Sequence, residues 1–195
     1  MTRIICLLGS PRKGGNSDVL AQHFVAAARE NGAQIEIHAL RDLQFQGCIN
    51  LMDCKTGGET CGQNDDMLPV LASIQAADVV VLASPIYFCN ISGLAKQAVD
   101  RFFSFFVPDY VTATEPSRLG RKKSFVLIQT QGEGVDRYGD LLGQYGPALD
   151  KMGFARRTLI RSCGVRNPGD VNQDAMALEH AVAIARELCA TSATA

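Results

Sequence analysis

The stretch IICLLGSPRKGGNS, residues 4–17, decides how this chain folds. Its apolar first part, residues 4–8, predicts a short buried β-strand, and the apolar spacing of residues 18–31 predicts a helix. The loop between them, residues 9–17, consists mainly of glycine and of small hydroxyl and amide residues. A loop of this kind presents unpaired backbone N–H groups at the positive end of a helix dipole. We therefore expect it to bind a phosphate group.

The residues that this loop lacks narrow the choice of phosphate. Gly9 and Gly14 have the spacing of a nucleoside-triphosphate loop, but Gly15 and Asn16 stand where that motif needs Lys and a hydroxyl residue. The dinucleotide fingerprint G-x-G-x-x-G fails at Pro11. A single phosphate monoester, as on FMN, fits better, and the alternative is a tight turn in front of a well-capped helix.

Length, charge and cysteine content set the broad class of the protein. The chain has 195 residues, 47% of them hydrophobic, which suits one α/β domain at residues 1–190 with a frayed tail at 191–195. A net charge of −1 gives no general attraction to nucleic acid or to an anionic membrane. We find neither a signal peptide nor an apolar stretch of membrane-spanning length. Seven cysteines without a regular framework favour reduced thiols, so we expect a cytoplasmic protein.

The apolar period alternates between strand and helix along the chain. Five strands are predicted, at residues 3–8, 34–39, 78–83, 124–130 and 158–161. Five helices are predicted, at residues 17–31, 67–76, 93–106, 138–152 and 173–190. The alternation predicts a three-layer sandwich, with helices on both faces of a five-stranded parallel sheet. Two segments interrupt it, a cysteine-bearing insertion at 40–65 and an excursion at 107–122 that we expect to be mobile.

Three loops should meet at one edge of this sheet. In such folds a ligand binds outside the carboxyl ends of the strands, where the strand order reverses. With the order 2-1-3-4-5, the reversal lies between strands one and three. The loop after strand three, residues 84–90, is apolar and aromatic, and the loop after strand four, residues 130–134, is small. Together with the phosphate loop they form a crevice that suits a phosphorylated planar heterocycle.

Two motifs carry a family resemblance. GSPRKGGNS at 9–17 and SPIYFCNISGLAKQAVDRF at 84–102 resemble the NAD(P)H-dependent FMN reductase family of flavodoxin-like folds, and within it the iron–sulfur flavoproteins. The resemblance extends from residue 3 to residue 165 and implies bound FMN, with NAD(P)H as electron donor. It implies a phosphate site at Ser10, Arg12, Asn16 and Ser17. It places the isoalloxazine ring against Pro85, Ile86, Tyr87, Phe88 and Asn90, and closes the far side with Thr130, Gln131 and Gly132.

Flavin chemistry needs little from protein side chains, because the cofactor itself accepts hydride and releases electrons. We find no constellation of a general base, and we interpret the three histidines as structural or solvent-facing. The main hypothesis is an FMN-dependent NAD(P)H oxidoreductase that reduces a small acceptor such as flavin or quinone. The alternatives are a flavodoxin-like or iron–sulfur electron carrier without nicotinamide turnover, and a flavin-binding regulatory module.

The insertion carries three cysteines in a spaced run: Cys48, Cys54 and Cys61. In the iron–sulfur flavoproteins that this chain resembles, such a run has a fourth cysteine and binds a [4Fe–4S] cluster, but Leu51 stands at that position here. A zinc site is also one ligand short, unless His38 or Asp53 completes it. We expect free thiols more than an intact cluster. A redox-active thiol beside the flavin is a third option, for which Cys89 is the candidate.

Four phenylalanines near the end of the third predicted helix suggest a subunit contact: Phe102, Phe103, Phe105 and Phe106. They cover too much of a helix to face one core, so we expect one face to pack on the sheet and another to meet a partner in a homodimer or higher homo-oligomer. An intramolecular cover by residues 107–122 is the alternative. Lys122 and Lys123 enter strand four about 20 Å from its carboxyl edge. We interpret them as solvated, and the choice between NADH and NADPH stays open.

Overall fold

A computed structural model describes residues 1–120 and 122–191. It has six strands: β1 (Arg3–Leu8), β2 (Gln34–Ala39), β3 (Val79–Tyr87), β4 (Asn90–Ile91), β5 (Lys123–Gln131) and β6 (Phe154–Cys163). The main strands are parallel in the order β2-β1-β3-β5-β6, and the two-residue β4 pairs antiparallel with β3. The short β4 only shifts the numbering, so the predicted flavodoxin-like α/β fold with strand order 2-1-3-4-5 is confirmed.

Helices cover both faces of the sheet. They are α1 (Asn16–Glu30), α2 (Asp53–Thr56), α3 (Met67–Ala76), α4 (Gly93–Arg101), α5 (Leu141–Met152) and α6 (Ala175–Thr191). The apolar faces of α1 and α6 pack in one core, and those of α3, α4 and α5 pack in a second core on the opposite face. The central strand β3 is buried on both sides over its first seven residues, which explains its unbroken apolar run.

The third strand is longer than its apolar run predicts, and this extension shapes the edge of the sheet. β3 runs four residues past Ala83 and turns into β4 through Phe88 and Cys89. Both turn residues have positive φ, 45° and 68°, as a tight two-residue hairpin requires. The hairpin therefore projects from the edge at which the sheet's parallel strands end.

Three of the four phenylalanines are buried inside the chain and Phe103 is partly buried, so the run packs within the chain and its role at a subunit contact stays a prediction. α4 ends at Arg101, and Phe102–Phe105 form a 3₁₀ turn in which residues three apart lie on one face. Phe102 and Phe106 are only 1% and 6% exposed. Tyr110 stacks on Phe106 with ring centroids 4.8 Å apart. The alternative, an intramolecular cover by the 107–122 segment, is what the structure shows for the residues it describes.

Some predictions fall at or beyond the edges of the described residues. Of the predicted frayed tail, 191–195, residues 192–195 lie outside them, as does residue 121 of the excursion. The excursion is fastened by hydrogen bonds such as Val107 N–H to Pro116 O at 3.0 Å, and its mobility stays a prediction. No helix in the described part of the chain is both long enough and apolar enough to cross a membrane.

Candidate functional site

The loop between β1 and α1 is fastened to the neighbouring strand and helix. The Gly9 N–H donates to Ala83 O at 2.7 Å. A Cβ atom on Gly9 would lie 2.7 Å from the Cβ of Ala95 in α4, so no larger residue fits there. The Ser10 hydroxyl accepts from the Arg12 N–H at 3.1 Å and closes a tight turn. The loop is therefore held in one shape at the carboxyl end of β1.

The first turn of α1 offers N–H donors to an anion. Its first intrahelical bond runs from the Val19 N–H to Gly15 O at 3.0 Å. The backbone N–H groups of residues 16–18 therefore have no acceptor within the helix. Arg12 and Lys13 are exposed on the same loop and add positive charge. Gly14 turns the chain with a φ of +67°. This donor set, helix N-terminus and nearby cations, fits a phosphate monoester.

A buried ion pair supports the phosphate loop and was missed in the sequence. Asp18 Oδ2 accepts from the Gly14 N–H at 3.1 Å and lies 2.9 Å from Nη1 of Arg41. Arg41 also donates to Ser10 O at 3.2 Å. Burial raises the pKa of Asp18, while Arg41 and the Gly14 N–H act in the opposite direction. An acidic residue in the first helical turn was the only signal for this pair.

The side chain of Asn16 was predicted to bind the phosphate, but it hydrogen-bonds to another loop. Its amide nitrogen donates to Asn167 O at 2.9 Å, and its amide oxygen accepts from the Gly169 N–H at 3.1 Å. Both partners belong to the connection between β6 and α6. Asn16 therefore ties that connection to the phosphate loop, which leaves its backbone N–H for an anion. Ser17 is also buried, at 1% exposure.

The hairpin after β3 places aromatic side chains at the edge of the sheet. Pro85 is buried and Ile86 is partly buried in β3, whereas Tyr87 is exposed and Phe88 fully exposed. Asn90 Oδ1 accepts from its neighbour's N–H and from the Tyr145 hydroxyl, both at 2.8 Å. Exposed rings beside a phosphate-binding loop suit stacking against a flat ligand.

Two serines connect this hairpin to the phosphate loop, and neither was singled out in the sequence. Ser92 Oγ accepts from the Ala95 N–H at 3.1 Å, capping α4, and donates to Gly9 O at 2.5 Å. The Ser92 N–H donates to Ser84 Oγ at 2.9 Å, and that hydroxyl donates to Pro85 O at 2.8 Å. A serine in front of a helical pattern is a recognised capping signal and could have identified Ser92.

The loop after β5 is shaped by the amide of Gln131. This side chain is buried, and its Nε2 donates to Gly134 O at 2.8 Å and to Arg137 O at 3.0 Å. Arg161 donates to the same Arg137 carbonyl at 2.5 Å. Gln131 thus holds the loop in place through its side chain, and its backbone oxygen accepts from the Val165 N–H at 3.0 Å.

The other two residues proposed at this loop, Thr130 and Gly132, are also held by the surrounding fold. Thr130 is buried at 3% exposure. Gly132 O accepts from Nε of Arg166 at 3.0 Å, and a Cβ on Gly132 would lie 3.0 Å from the Arg166 side chain. The β6–α6 connection therefore contacts this loop through Arg166 as well as the phosphate loop through Asn16.

A cavity of about 700 Å³ lies on the outer side of this loop, between β6 and α6. Two carboxylates in its lining are already engaged. Asp170 accepts from the Arg166 and Asn167 N–H groups, and Asp174 accepts from the Ser162 hydroxyl at 2.7 Å. The three loops at the sheet edge, rather than this cavity, combine the donors and rings that a phosphorylated heterocycle needs.

The three cysteines of the insertion line one small cavity of about 10 Å³, together with Leu51. Nε of Arg101 donates to Cys61 Sγ at 3.3 Å, and Nζ of Lys55 donates to Cys54 Sγ at 3.5 Å. Among the described residues no three Cys, His, Asp or Glu side chains are grouped so that they could hold a metal ion. In the described residues, Cys48, Cys54 and Cys61 are therefore not arranged as a ready metal site.

The sequence of this chain is similar to a known protein family and to individual known proteins. The family model described as NADPH-dependent FMN reductase matches residues 2–138. An iron–sulfur flavoprotein of Methanocaldococcus jannaschii is 34% identical over 99 residues, which cover 51% of this chain and 51% of that relative. The chain thus matches about half the length of that relative. An FMN-dependent NADH:quinone oxidoreductase of Shewanella baltica is 27% identical over 143 residues, covering 68% of this chain and 71% of that protein.

A solved structure has the same architecture. The FMN-dependent NADH-azoreductase of Bacillus anthracis, in complex with FMN, superposes with a TM-score of 0.72 at 18% identity. The superposition covers 96% of this chain and 100% of the azoreductase chain. At this level of identity the likeness concerns the fold alone.

Proposed function

Because this chain belongs to the NADPH-dependent FMN reductase family, we propose that it is an FMN-dependent NAD(P)H oxidoreductase that reduces a small acceptor such as free flavin or a quinone. The observation that carries the proposal is the meeting of three loops at one sheet edge. These are the donor-rich start of α1, the exposed aromatic hairpin after β3 and the backbone of the loop after β5. The similarity to a quinone oxidoreductase supports the choice of acceptor class.

Each loop has a separate task in holding FMN. The phosphate lies at the N-terminus of α1, with Ser10, Ser17 and the backbone N–H of Asn16 around it and Arg12 supplying charge. The ring lies against the hairpin residues Pro85, Ile86, Tyr87, Phe88 and Asn90. The backbone of Thr130, Gln131 and Gly132 bounds its far side. Bound FMN supplies hydride acceptance and electron release, so the chain needs only to position it and leave one face open.

The acceptor approaches on the side that the hairpin leaves open. Phe88 and Tyr87 are exposed at the rim of the crevice, so a flat aromatic acceptor that enters it passes rings rather than charges. The chain's net charge of −1 gives no strong field to steer a charged protein partner. This favours a small acceptor over a protein partner.

Steady-state turnover tests this function. FMN-loaded protein is mixed with NADPH or NADH and with free FMN, riboflavin or a naphthoquinone, and oxidation of the nicotinamide is followed. We expect turnover with at least one donor and one acceptor, and none when protein stripped of FMN is given the naphthoquinone without added flavin. An FMN-loaded protein that oxidises neither donor with any acceptor would instead be an electron carrier.

We also propose that the protein acts as a homodimer or higher homo-oligomer. With the phenylalanine run packed internally, the support now comes from exposed apolar side chains near the crevice, Phe88 and Val135. A partner subunit that covers them would also help to enclose the flavin. A single domain at 1–190 and a cytoplasmic location complete the proposal, and the seven reduced cysteines favour that compartment.

A further inference from the structure

The cysteine cavity is surrounded by three cations that the proposed reductase function does not use. Nζ of Lys55 donates to the backbone oxygens of Phe103 and Phe106, both at 2.8 Å, and lies 4.2 Å from the centre of the Phe103 ring. Arg101 is 1% exposed. Arg118 donates to Cys54 O at 3.0 Å. Positive charge is therefore concentrated around the thiols.

Most contacts described for these cations are not with carboxylates, although Asp53 also lines the cavity. Arg101 pairs with Asp65 at 2.6 Å, and the contacts described for Lys55 and Arg118 are to backbone oxygens, a ring and the Cys54 sulfur. Two of the three cations thus have no carboxylate among those contacts. Sulfur accepts from two of the three cations: Cys54 Sγ from Lys55 and Cys61 Sγ from Arg101. These N–H groups hold the two sulfur atoms in place beside the cavity.

Cys54 and Cys61 line the same small cavity, and their neighbours in sequence are in contact. The Gly58 N–H donates to Asp53 O at 2.9 Å, which folds the following residues back over the short helix α2. A Cβ on Gly62 would lie 2.8 Å from the Cβ of Asp53. Cys54 follows Asp53 and Cys61 precedes Gly62, so each cysteine is next in sequence to one of the two residues in this contact. Their shared cavity, about 10 Å³, is no larger than one water molecule.

We propose that Cys54 and Cys61 are a redox-active dithiol, which a hydroperoxide converts into a disulfide where relatives named iron–sulfur flavoproteins carry a cluster. The half-buried Cys61, held by Arg101, attacks the peroxide; a sulfur–oxygen bond forms, the oxygen–oxygen bond breaks, and hydroxide leaves as water with the Cys61 proton. Cys54 then attacks this sulfenic acid, the sulfur–sulfur bond forms, and the hydroxyl leaves as water with the Cys54 proton. Two thiols and one hydrogen peroxide thus give one disulfide and two waters.

Peptide mapping tests the proposal. FMN-loaded protein is reduced, freed of reductant without air, treated with an equimolar amount of hydrogen peroxide, alkylated and digested with trypsin. Cleavage after Lys55 separates the two cysteines, so their disulfide joins the peptide 42–55 to the peptide 56–96. We expect this linked pair, with two of the seven thiols lost.

Variants identify the sulfurs, because each peptide carries a second cysteine. Cys48→Ser and Cys89→Ser should keep the linked pair, whereas Cys54→Ser and Cys61→Ser should each abolish it. FMN retention checks that each variant is folded. No linked pair in the wild-type protein, or a pair that survives Cys54→Ser, would overturn the proposal. So would iron or zinc bound at one per chain after purification without air.

The role of Lys55 has its own control. Lys55→Met should slow formation of the disulfide at equal peroxide concentration, because the ammonium that donates to the Cys54 sulfur is gone. Lys151→Met removes another cation, one that lies over the nearby Tyr110 ring and contacts no thiol among the contacts described for it. It should leave the rate unchanged. Equal slowing by both variants would show that Lys55 acts only through the aromatic packing and would contradict its assigned role.

Discussion

At the scale of single residues, Asn16 shows how a side chain in a binding loop can serve the fold. Its buried amide joins the phosphate loop to the connection between β6 and α6 through Asn167 and Gly169. Removing it leaves backbone donors and acceptors unpaired. We therefore expect Asn16→Ala to lower the free energy of unfolding of the FMN-free protein by about 2 kcal/mol, measured by urea denaturation.

Ser17→Ala is the matched control for that prediction. The hydroxyl of Ser17 is buried at the helix start, beside the amides that we assign to the phosphate. Its loss should weaken FMN binding by roughly fivefold while the stability of the FMN-free protein changes by less than about 1 kcal/mol. Wild-type stability in Asn16→Ala, together with lost FMN binding, would instead make the Asn16 side chain a phosphate ligand.

Residue types in a loop predict the chemistry of a site better than they predict the direction of each side chain. The glycines and the helix start between β1 and α1 were evident, because strand, loop and helix follow one another in sequence. The hydrogen bonds made by the side chains of Asn16 and Gln131 were not evident, because their partners lie in loops whose approach depends on tertiary packing. Lys123 likewise was expected to be solvated, but it is buried and donates to Gln75 O at 2.9 Å.

At the scale of elements, Ser92 connects helix α4 to the phosphate loop. It caps α4 by accepting from the Ala95 N–H and also donates to Gly9 O. We expect Ser92→Ala to destabilise the protein by about 1–2 kcal/mol, from the lost cap and an unpaired carbonyl. FMN affinity, measured by fluorescence titration, should fall with it, because the loop loses an anchor.

Ser92→Thr distinguishes the hydroxyl from the space it fills. It retains the capping oxygen and should keep most of both the stability and the affinity. If Ser92→Ala and Ser92→Thr lost FMN equally, the bond to Gly9 would not be what positions the loop.

The cysteine insertion, residues 40–65, depends on one ion pair for its stability in acid. Burial raises the pKa of Asp65, but the hydrogen bond and charge of Arg101 act in the opposite direction. The pKa of Asp65 in the folded protein lies below its ordinary value of 3.8. A lowered pKa stabilises the folded state above pH 3.8, and this contribution is lost as the pH falls through the lower folded value. Urea denaturation at a series of pH values should show stability declining in that range.

Asp65→Asn should remove this part of the pH dependence. At neutral pH it should also cost about 3 kcal/mol, because Arg101 is left buried without its carboxylate. Asp66→Asn, a change at the adjacent exposed carboxylate, is the control. A steep acid dependence that persists unchanged in Asp65→Asn would rule out the pair as its cause.

Elements that have a clear apolar period were predicted with nearly correct ends, and those set by long-range contacts were not. β1, β2 and α3 begin and end where the pattern predicts. The extension of β3 into a hairpin depends on pairing with β4, which two residues cannot signal. The phenylalanine run has helical spacing, but its 3₁₀ winding and the cover of the 107–122 segment become visible only in three dimensions.

At the scale of the whole molecule, the parallel sheet could be predicted because every central strand is an unbroken apolar run between helices. The site followed from the fold, since its loops lie where the strand order reverses. The assembly did not follow, because its strongest sequence signal, the aromatic run, is satisfied within one chain. Among the aromatic side chains of the hairpin, Phe88 is the more exposed, at 102% against 39% for Tyr87.

Phe88 therefore provides the test of the proposed assembly. Sedimentation of the wild-type protein should give the mass of a dimer or higher homo-oligomer, and Phe88→Ser should shift it toward the monomer. Val111→Ser, which changes another exposed apolar residue on a different segment, should not. A wild-type monomer, or an unchanged oligomer in Phe88→Ser, would contradict a contact through the hairpin.

The most direct test of the central claim is the visible absorption spectrum of FMN-loaded protein without air, recorded before and after NADPH and then NADH are added. We predict two resolved flavin bands that bleach with at least one donor, with no broad absorbance left beneath them. Flavin bands that neither donor bleaches would contradict the reductase. A broad brown absorbance would reveal a cluster and contradict the dithiol that we propose in the cysteine cavity.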